Sequence, residues 1–301
     1  MNVLVVGGSG FIGTHLSEEL TERGHDVTVV SRTPEDEDLP EGVSTVRGDV
    51  TAYDSIEGAF EGKDAVVFLV ALSPLFKPKG GDDQHFAVHT EGTRNVVAAA
   101  EEHGVDRLLQ MSALGADSNG STAYIRSKGE AEEIVRDSAL DWVVFRPSVV
   151  FGEGGEFVSF TKKLKGMFAP GLPIYPLPGG GETRFQPIWV GDLVPMLADA
   201  LEEDEHVGGT YEIGGPEVLT LREITNMVYD AEGKSVSIVP IPMGLAGIGL
   251  KLGGAVPGFP MGADQYRSLK FDNTTADNDV AAFDGDSPDM RTLQEYLTAA
   301  G

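Results

Sequence analysis

Apolar, largely β-branched blocks recur through the first half of the chain. Val3–Val6 and Ala65–Val70 are uninterrupted apolar runs, and Val27–Val30, Val43–Arg47, Arg107–Met111 and Trp142–Phe145 follow the same habit. Runs of this kind read as strands of a parallel sheet, the central ones buried on both faces. Between them the pattern changes to a helical period. Phe11–Arg23 is one such stretch. Asp83–His103 is another, with Phe86, Thr93, Val96, Val97 and Ala100 on one face and Gly104 placed to stop it. A third helix carries Tyr124 and Lys128. The repeated strand–helix alternation predicts an α/β fold, a doubly wound parallel sheet. Residues 1–150 form its main domain, with returns to the sheet near 186–213. A smaller, interleaved lobe covers 151–301.

The first strand runs directly into Gly7-Gly8-Ser9-Gly10-Phe11-Ile12-Gly13. Gly7 lets the chain leave the strand in a tight turn, and Gly10 removes a side chain where backbone approaches phosphate. Gly13 lets the next helix pack close to the strand. That helix aims its free N–H groups and positive dipole end at a bound anion. Alone, such spacing is often just a glycine-rich turn. After an apolar strand and before a helix, it predicts a dinucleotide site in a Rossmann-type domain.

The second strand reports which dinucleotide. NAD sites usually place Asp or Glu at this strand's end to hold the ribose 2′-hydroxyl. Here the chain reads Val30-Ser31-Arg32-Thr33. Arg32 is placed to pair with a 2′-phosphate, with Ser31 and Thr33 as extra donors, so NADP(H) is preferred and NAD(H) is the second choice. The competing reading makes Arg32 an ordinary loop arginine.

Tyr124 and Lys128 stand at i and i+4, on one face of their helix. A phenol titrates near 10, too high for ready acid/base work at neutral pH. A neighbouring ammonium favours the phenolate and brings that value down. Lys128 is also long enough to reach a cofactor ribose. The spacing arises often by chance and gains weight only behind a dinucleotide fingerprint. His85 and His89 share the same spacing, which suits a metal, but no third ligand accompanies them. Two surface or groove histidines are the simpler reading.

Composition narrows the choices. The chain has 301 residues, no cysteine, and 48 acidic against 22 basic residues, a net charge of −26. Disulfides, thiolate metal sites and cysteine nucleophiles are excluded. The acidic surface repels nucleic acid and anionic membrane alike, and nucleic acid is excluded as a partner. The acids are spread over loops and helix faces, which reads as adaptation to high salt in a halophile. Met1 leads straight into the first strand, so a cytoplasmic protein without a signal peptide is expected. No membrane span is expected either. The nearest approach, residues 238–261, is broken by Lys251 and by many Gly and Pro. It reads as a buried or pocket-lining segment, or else as an exposed apolar surface for a membrane or partner protein.

Taken in order, these motifs resemble the extended or atypical short-chain dehydrogenases/reductases of the nucleotide-sugar epimerase-like superfamily. The likeness covers nearly the whole chain. Besides the glycine turn and Tyr124–Lys128, it rests on Gly48-Asp49-Val50, Gly92-Thr93-Arg94-Asn95-Val96, Arg146-Pro147-Ser148, Arg184 to Asp192, Tyr211-Glu212-Ile213-Gly214-Gly215 and Leu219 to Glu223. The short connection before Tyr124 and the tail Gln265-Tyr266-Arg267 to Tyr296-Leu297 look most like a narrower group. That group comprises the nucleotide-binding accessory subunit of respiratory complex I and its prokaryotic relatives. The resemblance implies a cofactor held by Gly7, Ser9, Gly10, Phe11, Ile12 and Gly13. It places Asp49 near the adenine and Ala71 along the cofactor groove, and adds Val50, Val70, Lys128 and Pro147 to the contacts. Family enzymes carry a carbonyl-polarising hydroxyl just after the fifth strand. Here the order Met111-Ser112-Ala113-Leu114 sets it one place early. Ser112 either reaches the substrate or caps the local turn, with Ser148 and Thr122 as substitutes. Arg184 matches a position that contacts substrate phosphates in sugar-nucleotide epimerases, or is a surface arginine. The apolar 240–261 stretch argues instead for a hydrophobic substrate.

The expected activity is hydride exchange between NADP(H) and a small-molecule carbonyl or carbinol, with Tyr124, Lys128 and Ser112 catalytic. Two rivals share the cofactor: a non-catalytic subunit peripherally associated with a membrane complex, and a redox sensor.

The charge carries its own test. Self-repulsion acts over a Debye length of roughly 30 Å at 0.01 M salt but only about 3 Å at 1 M. Melting temperature is expected to climb steeply as KCl rises towards molar concentrations. A flat profile would remove the halophile reading.

Overall fold

Strand β1 (Asn2–Val6) is apolar because it lies inside the sheet; Val3 to Val6 are fully buried. The computed structural model of the chain describes residues 1–34, 39–254, 261–283 and 289–300. From β1 the chain enters α1 (Phe11–Glu22), β2 (Asp26–Ser31), β3 (Ser44–Arg47) and β4 (Ala65–Phe68). Next come α2 (Asp83–His85), a π-helical turn over Phe86–Glu91, and α3 (Gly92–His103). Strand β5 (Arg107–Met111), α4 (Ala123–Arg136) and β6 (Asp141–Pro147) complete the run.

These strands and Thr210–Ile213 make one seven-stranded parallel sheet, ordered Thr210–Ile213, β6, β5, β4, β1, β2, β3. Val5 sits beside Val29 of β2 and Val67 of β4, so β1 meets apolar neighbours on either side. Strand order reverses between β1 and β4, which opens a crevice at their carboxyl ends. Gly104 ends α3 in the left-handed conformation, φ 68°, as its sequence position suggests.

The chain forms two compact units. The first comprises Met1–Leu72, Gly80–Pro147 and Val190–Glu212; the second comprises Ser73–Lys79, Ser148–Trp189 and the described residues from Ile213 onward. The sheet unit returns at Val190, slightly later than 186, and the short Ser73–Lys79 segment leaves it for the second unit. There, Leu75 and Phe76 pack against Phe160, Leu164, Tyr175 and Leu177.

The second unit is built around a two-stranded parallel sheet, Ile174–Pro178 with Ser237–Ile241. Tyr175 is fully buried and donates its hydroxyl to the Thr161 carbonyl at 2.8 Å. Helix Leu221–Asp230 starts from a capping box in which Thr220 and Glu223 bond each other's backbone N–H. Within the 238–261 stretch, Met243–Gly254 is helical, with Leu245 62% and Ile248 58% exposed. Of the two sequence readings, the buried one therefore fails for these side chains; residues 255–260 lie outside the described residues. No helix among the described residues is long and apolar enough to cross a membrane.

Backbone packing is close where α1 meets the β1 exit. A Cβ on Gly13 would stand 2.4 Å from the Gly7 carbonyl oxygen and 2.5 Å from the Gly8 Cα. Gly13→Ala must push α1 off the strand. A cost of about 1–3 kcal/mol is expected, as for other overpacked sites. Thermal unfolding and NADPH titration should both register it; a variant matching the parent in both would show that the contact relaxes freely.

Candidate active site

The β1–α1 turn is shaped for an anion. Gly7 has φ +91°, which L side chains avoid, and a Cβ there would meet Val70 Cγ2 at 2.9 Å. The glycine turn thus lies directly against the chain leaving β4, where Val70 is partly buried and Ala71 exposed. At Gly10 an added Cβ would meet only the Gly7 carbonyl, at 3.3 Å, with open space beyond. Gly10 is also the N-cap of α1 and offers no side-chain acceptor. The first N–H groups of the helix, from Phe11 and Ile12, therefore remain available to a bound anion.

At the end of β2, Ser31 is buried and its Oγ has no hydrogen-bond partner. Arg32 and Thr33 are exposed beside it. Asp49, just beyond β3, accepts from the backbone and hydroxyl of Thr51 at 2.9 and 2.7 Å. Those bonds, with the nearby positive charge of Arg32, hold its carboxyl below the usual range. Val50 is fixed from α3: Asn95 Nδ2 donates to its carbonyl at 2.7 Å. An orphaned hydroxyl, an uncapped helix and an open glycine position suit the ribose and phosphates of a dinucleotide.

The Tyr124 helix supplies the second half of the site. Thr122 caps α4 by accepting from the Ile125 N–H at 3.2 Å, which leaves its own hydroxyl proton to donate. Tyr124 has no hydrogen bond from its hydroxyl to the described residues. Its ring sits in an imidazole collar, edge-on to His85 at 5.6 Å and to His89 at 5.4 Å. Both histidines are buried, not the surface or groove pair the sequence suggested. The π turn between α2 and α3 adds a residue to the helical turn and redirects this face.

His89 is pinned on both nitrogens. Its Nε2 accepts from the Leu72 N–H at 3.0 Å, so Nδ1 carries the proton and donates to Ser127 Oγ at 2.8 Å. Ser127 in turn donates to the Tyr124 carbonyl at 2.9 Å. Burial, then the charge of Lys128 and the proximity of His85, pushes His89 far below the ordinary histidine range and keeps it neutral. Spacing alone could not find this role, because it depends on which helix faces which.

Lys128 is 1% exposed and donates from Nζ to the Met111 carbonyl, the last of β5, at 2.8 Å. Burial brings its ammonium down to about 8, opposed by Glu132. Tyr124 departs from expectation: burial pushes its phenol up to about 12 instead of Lys128 drawing it down. Near neutral pH both therefore hold their protons.

Three proposed site residues are committed elsewhere. Ser112 is buried and donates its hydroxyl to the carboxylate of Glu132. That carboxylate, 1% exposed, also accepts from Arg146 Nε and Nη2 at 2.9 and 2.7 Å and from Arg136 Nη2 at 2.8 Å. A buried charge needs such donors, and Ser112 is one of them, so its hydroxyl proton is directed at Glu132. Ser148, in the second unit, gives its hydroxyl to Asn273, whose carbonyl and Oδ1 lie at 2.9 and 2.8 Å. Arg184, in the same unit, pairs with Asp272 through Nε and Nη2 at 2.9 and 2.7 Å. Pro147 ends β6, its carbonyl accepting from the Leu114 N–H at 3.2 Å.

The NAD(P)H-binding family matches residues 7–166, a span that takes in both the glycine turn and the Tyr124 helix. The chain belongs to this family. Its fold and relatives place it in the epimerase/dehydratase-like Rossmann superfamily. It is similar to NADH dehydrogenase [ubiquinone] 1 alpha subcomplex subunit 9 of Arabidopsis thaliana, 30% identical over 251 residues. That match covers 80% of this chain but only 60% of the plant protein. It is also similar to 2-alkyl-3-oxoalkanoate reductase of Stenotrophomonas maltophilia, 30% identical over 258 residues, 77% of this chain and 76% of the reductase. Among solved structures, a nucleoside-diphosphate-sugar epimerase of Staphylococcus aureus superposes with a TM-score of 0.75 at 19% identity. It covers 99% of this chain and 100% of its own, a likeness of fold.

The residues at the β2 end can be tested for a preference between cofactors. NADPH is expected to bind more tightly than NADH, and Arg32→Ala should erase most of that preference while sparing NADH. A charge-assisted pair of roughly 1.5–3 kcal/mol corresponds to about 10- to 150-fold. Equal affinities by titration in molar salt would exclude this role for Arg32.

Proposed function

We propose that the chain is an NADP(H)-dependent oxidoreductase that reduces the carbonyl of a small, largely apolar molecule. The observation that carries this reading is Tyr124: a protonated phenol, without a hydroxyl hydrogen bond to the described residues and clamped by two buried imidazoles. It shares one unit with the glycine turn. When bound, the cofactor supplies a hydride to the carbonyl carbon. Tyr124 Oη delivers the proton that the developing alkoxide needs, which completes the alcohol. A phenol pushed up to about 12 by burial bears its proton at neutral pH, the form from which a carbonyl reduction draws it. Lys128, an ammonium below about pH 8, binds the cofactor ribose and supplies the positive charge that offsets the phenolate left behind. His89 and Ser127 orient the backbone of Tyr124, and Gly7 to Gly13, Ser31, Arg32 and Asp49 hold the cofactor.

Arg184 pairs with Asp272 on an exposed face through Nε and Nη2, an arrangement that does not favour a sugar-nucleotide diphosphate over other substrates. Similarity to an oxoalkanoate reductase favours a carbonyl compound with an alkyl chain. A second reading has its own support: the likeness to the plant respiratory subunit favours a nucleotide-holding protein that docks on a membrane complex.

Tyr124→Phe keeps the ring in its collar and deletes the proton. Turnover should fall roughly 10²–10⁴-fold, the usual contribution of a positioned acid/base, with NADPH affinity little changed. Lys128→Met should impair both. The assay follows NADPH absorbance in molar salt against oxoacids, aldehydes, ketones, quinones and nucleotide sugars. Equal turnover by Tyr124→Phe would refute the mechanism. Tight NADPH binding without turnover, joined to co-purification with a membrane complex, would instead establish the second reading.

A further inference from the structure

Acidic residues are spread through this chain with two large gaps. Residues 157–181 and 233–263 contain no Asp or Glu, in a protein with 48 of them. The fold brings the gaps together, since Ile174–Pro178 and Ser237–Ile241 are the two strands of one parallel sheet. Of the four carboxylates bounding the gaps, Glu156 is exposed, and the other three have cationic partners. Glu232 pairs with both Lys162 and Lys234, which bring it down to about 2. Glu182 lies 3.5 Å from Arg222, and Asp264, 5% exposed, pairs with Arg267.

Four of the large apolar side chains that reach solvent lie in the acid-free region; Met1, Val218 and Phe271 lie outside it. Leu172, Val239, Leu245 and Ile248 are 52%, 40%, 62% and 58% exposed, and the last two lie i and i+3 on one helix. Cations accompany them. Lys270 Nζ stands 4.4 Å above the ring of Tyr266, and that ring packs against Gly247 of the same helix. Lys163 is exposed, its Nζ 5.7 Å from the ring of Phe76.

We propose that this face is a docking surface for the anionic surface of a lipid bilayer. Leu245, Ile248, Val239 and Leu172 enter the headgroup region, and Lys163 and Lys270 meet lipid phosphates. Exposed apolar residues with basic neighbours and no carboxylate are the composition that interfacial binding uses. The net charge of −26 opposes approach at low salt. At 1 M salt that repulsion is confined to about 3 Å, whereas apolar insertion is not screened. Attachment should therefore persist in molar KCl, unlike that of an ordinary polybasic segment. It is independent of any catalytic role for Tyr124.

The test is flotation of the full chain in molar KCl with two vesicle types. One contains equal parts phosphatidylglycerol and phosphatidylcholine; the other is phosphatidylcholine alone. The chain should float with both vesicle types in molar KCl, with only a modest excess on the mixed ones, because salt screens the lysine–phosphate attraction as it does the repulsion. Leu245→Ser with Ile248→Ser should cut partitioning at least roughly tenfold, as expected for two lost apolar side chains. Lys163→Glu with Lys270→Glu should remove the difference between vesicles. Unchanged NADPH affinity and melting temperature would certify that each variant is folded. No flotation by the parent chain, or equal flotation by the apolar variant, overturns the proposal. So does an apolar variant that alters only oligomeric state by gel filtration, which would make the face a contact between copies.

Discussion

The whole first unit depends on how closely α1 approaches the exit of β1. Two glycines make that approach: Gly7 turns the backbone through a positive φ, and Gly13 lets the helix sit on the Gly7 carbonyl. The same turn presses against Val70, so the carboxyl ends of β1 and β4 are brought together at the point where strand order reverses. Open backbone N–H groups and a crevice for a dinucleotide are consequences of that single contact. A larger residue at either position would lift the helix away from the place where phosphate charge must be balanced.

A second constraint sits on the far side of the sheet centre. Glu132 is a buried carboxylate satisfied by Arg146, Arg136 and Ser112, which join α4 to the ends of β5 and β6. Removing any one donor would leave buried charge imperfectly paired, which is far more costly than the pair is stabilising. The network therefore favours a unique placement of α4, and with it the placement of Tyr124 and Lys128 two turns and one turn earlier on the helix. Lys128 adds its own tie to the Met111 carbonyl. The His89–Ser127 chain supplies the remaining restraint by linking Leu72 to the Tyr124 backbone.

Burial then decides the chemistry that these residues offer. Tyr124 and Lys128 are displaced in opposite directions, up to about 12 and down to about 8, because a low-dielectric setting disfavours the charged form of each. A pair considered from spacing alone predicts a lowered phenol. Within the protein, Lys128 points its ammonium at a backbone carbonyl, and desolvation outweighs its effect on the tyrosine.

Much of the architecture was legible in the residues because its causes are local. Apolar runs marked β1 and β4, Gly104 marked the end of α3, and the Gly7–Gly13 spacing marked the strand–helix turn. Those features follow from backbone sterics and side-chain periodicity, which act over a few neighbouring positions. The pairing of Tyr124 with Lys128 on one helix face was legible for the same reason. What the tertiary structure alone decided was the company each side chain keeps. Ser112, Ser148 and Arg184 carry suitable groups in suitable places, yet Glu132, Asn273 and Asp272 claim them. Their partners lie 20, 125 and 88 residues away along the chain. His85 and His89 read as surface groups until the π turn carried them onto Tyr124. Hydrogen-bond partners and burial depend on contacts between distant segments, and no local pattern encodes which of several available donors a buried carboxylate will take.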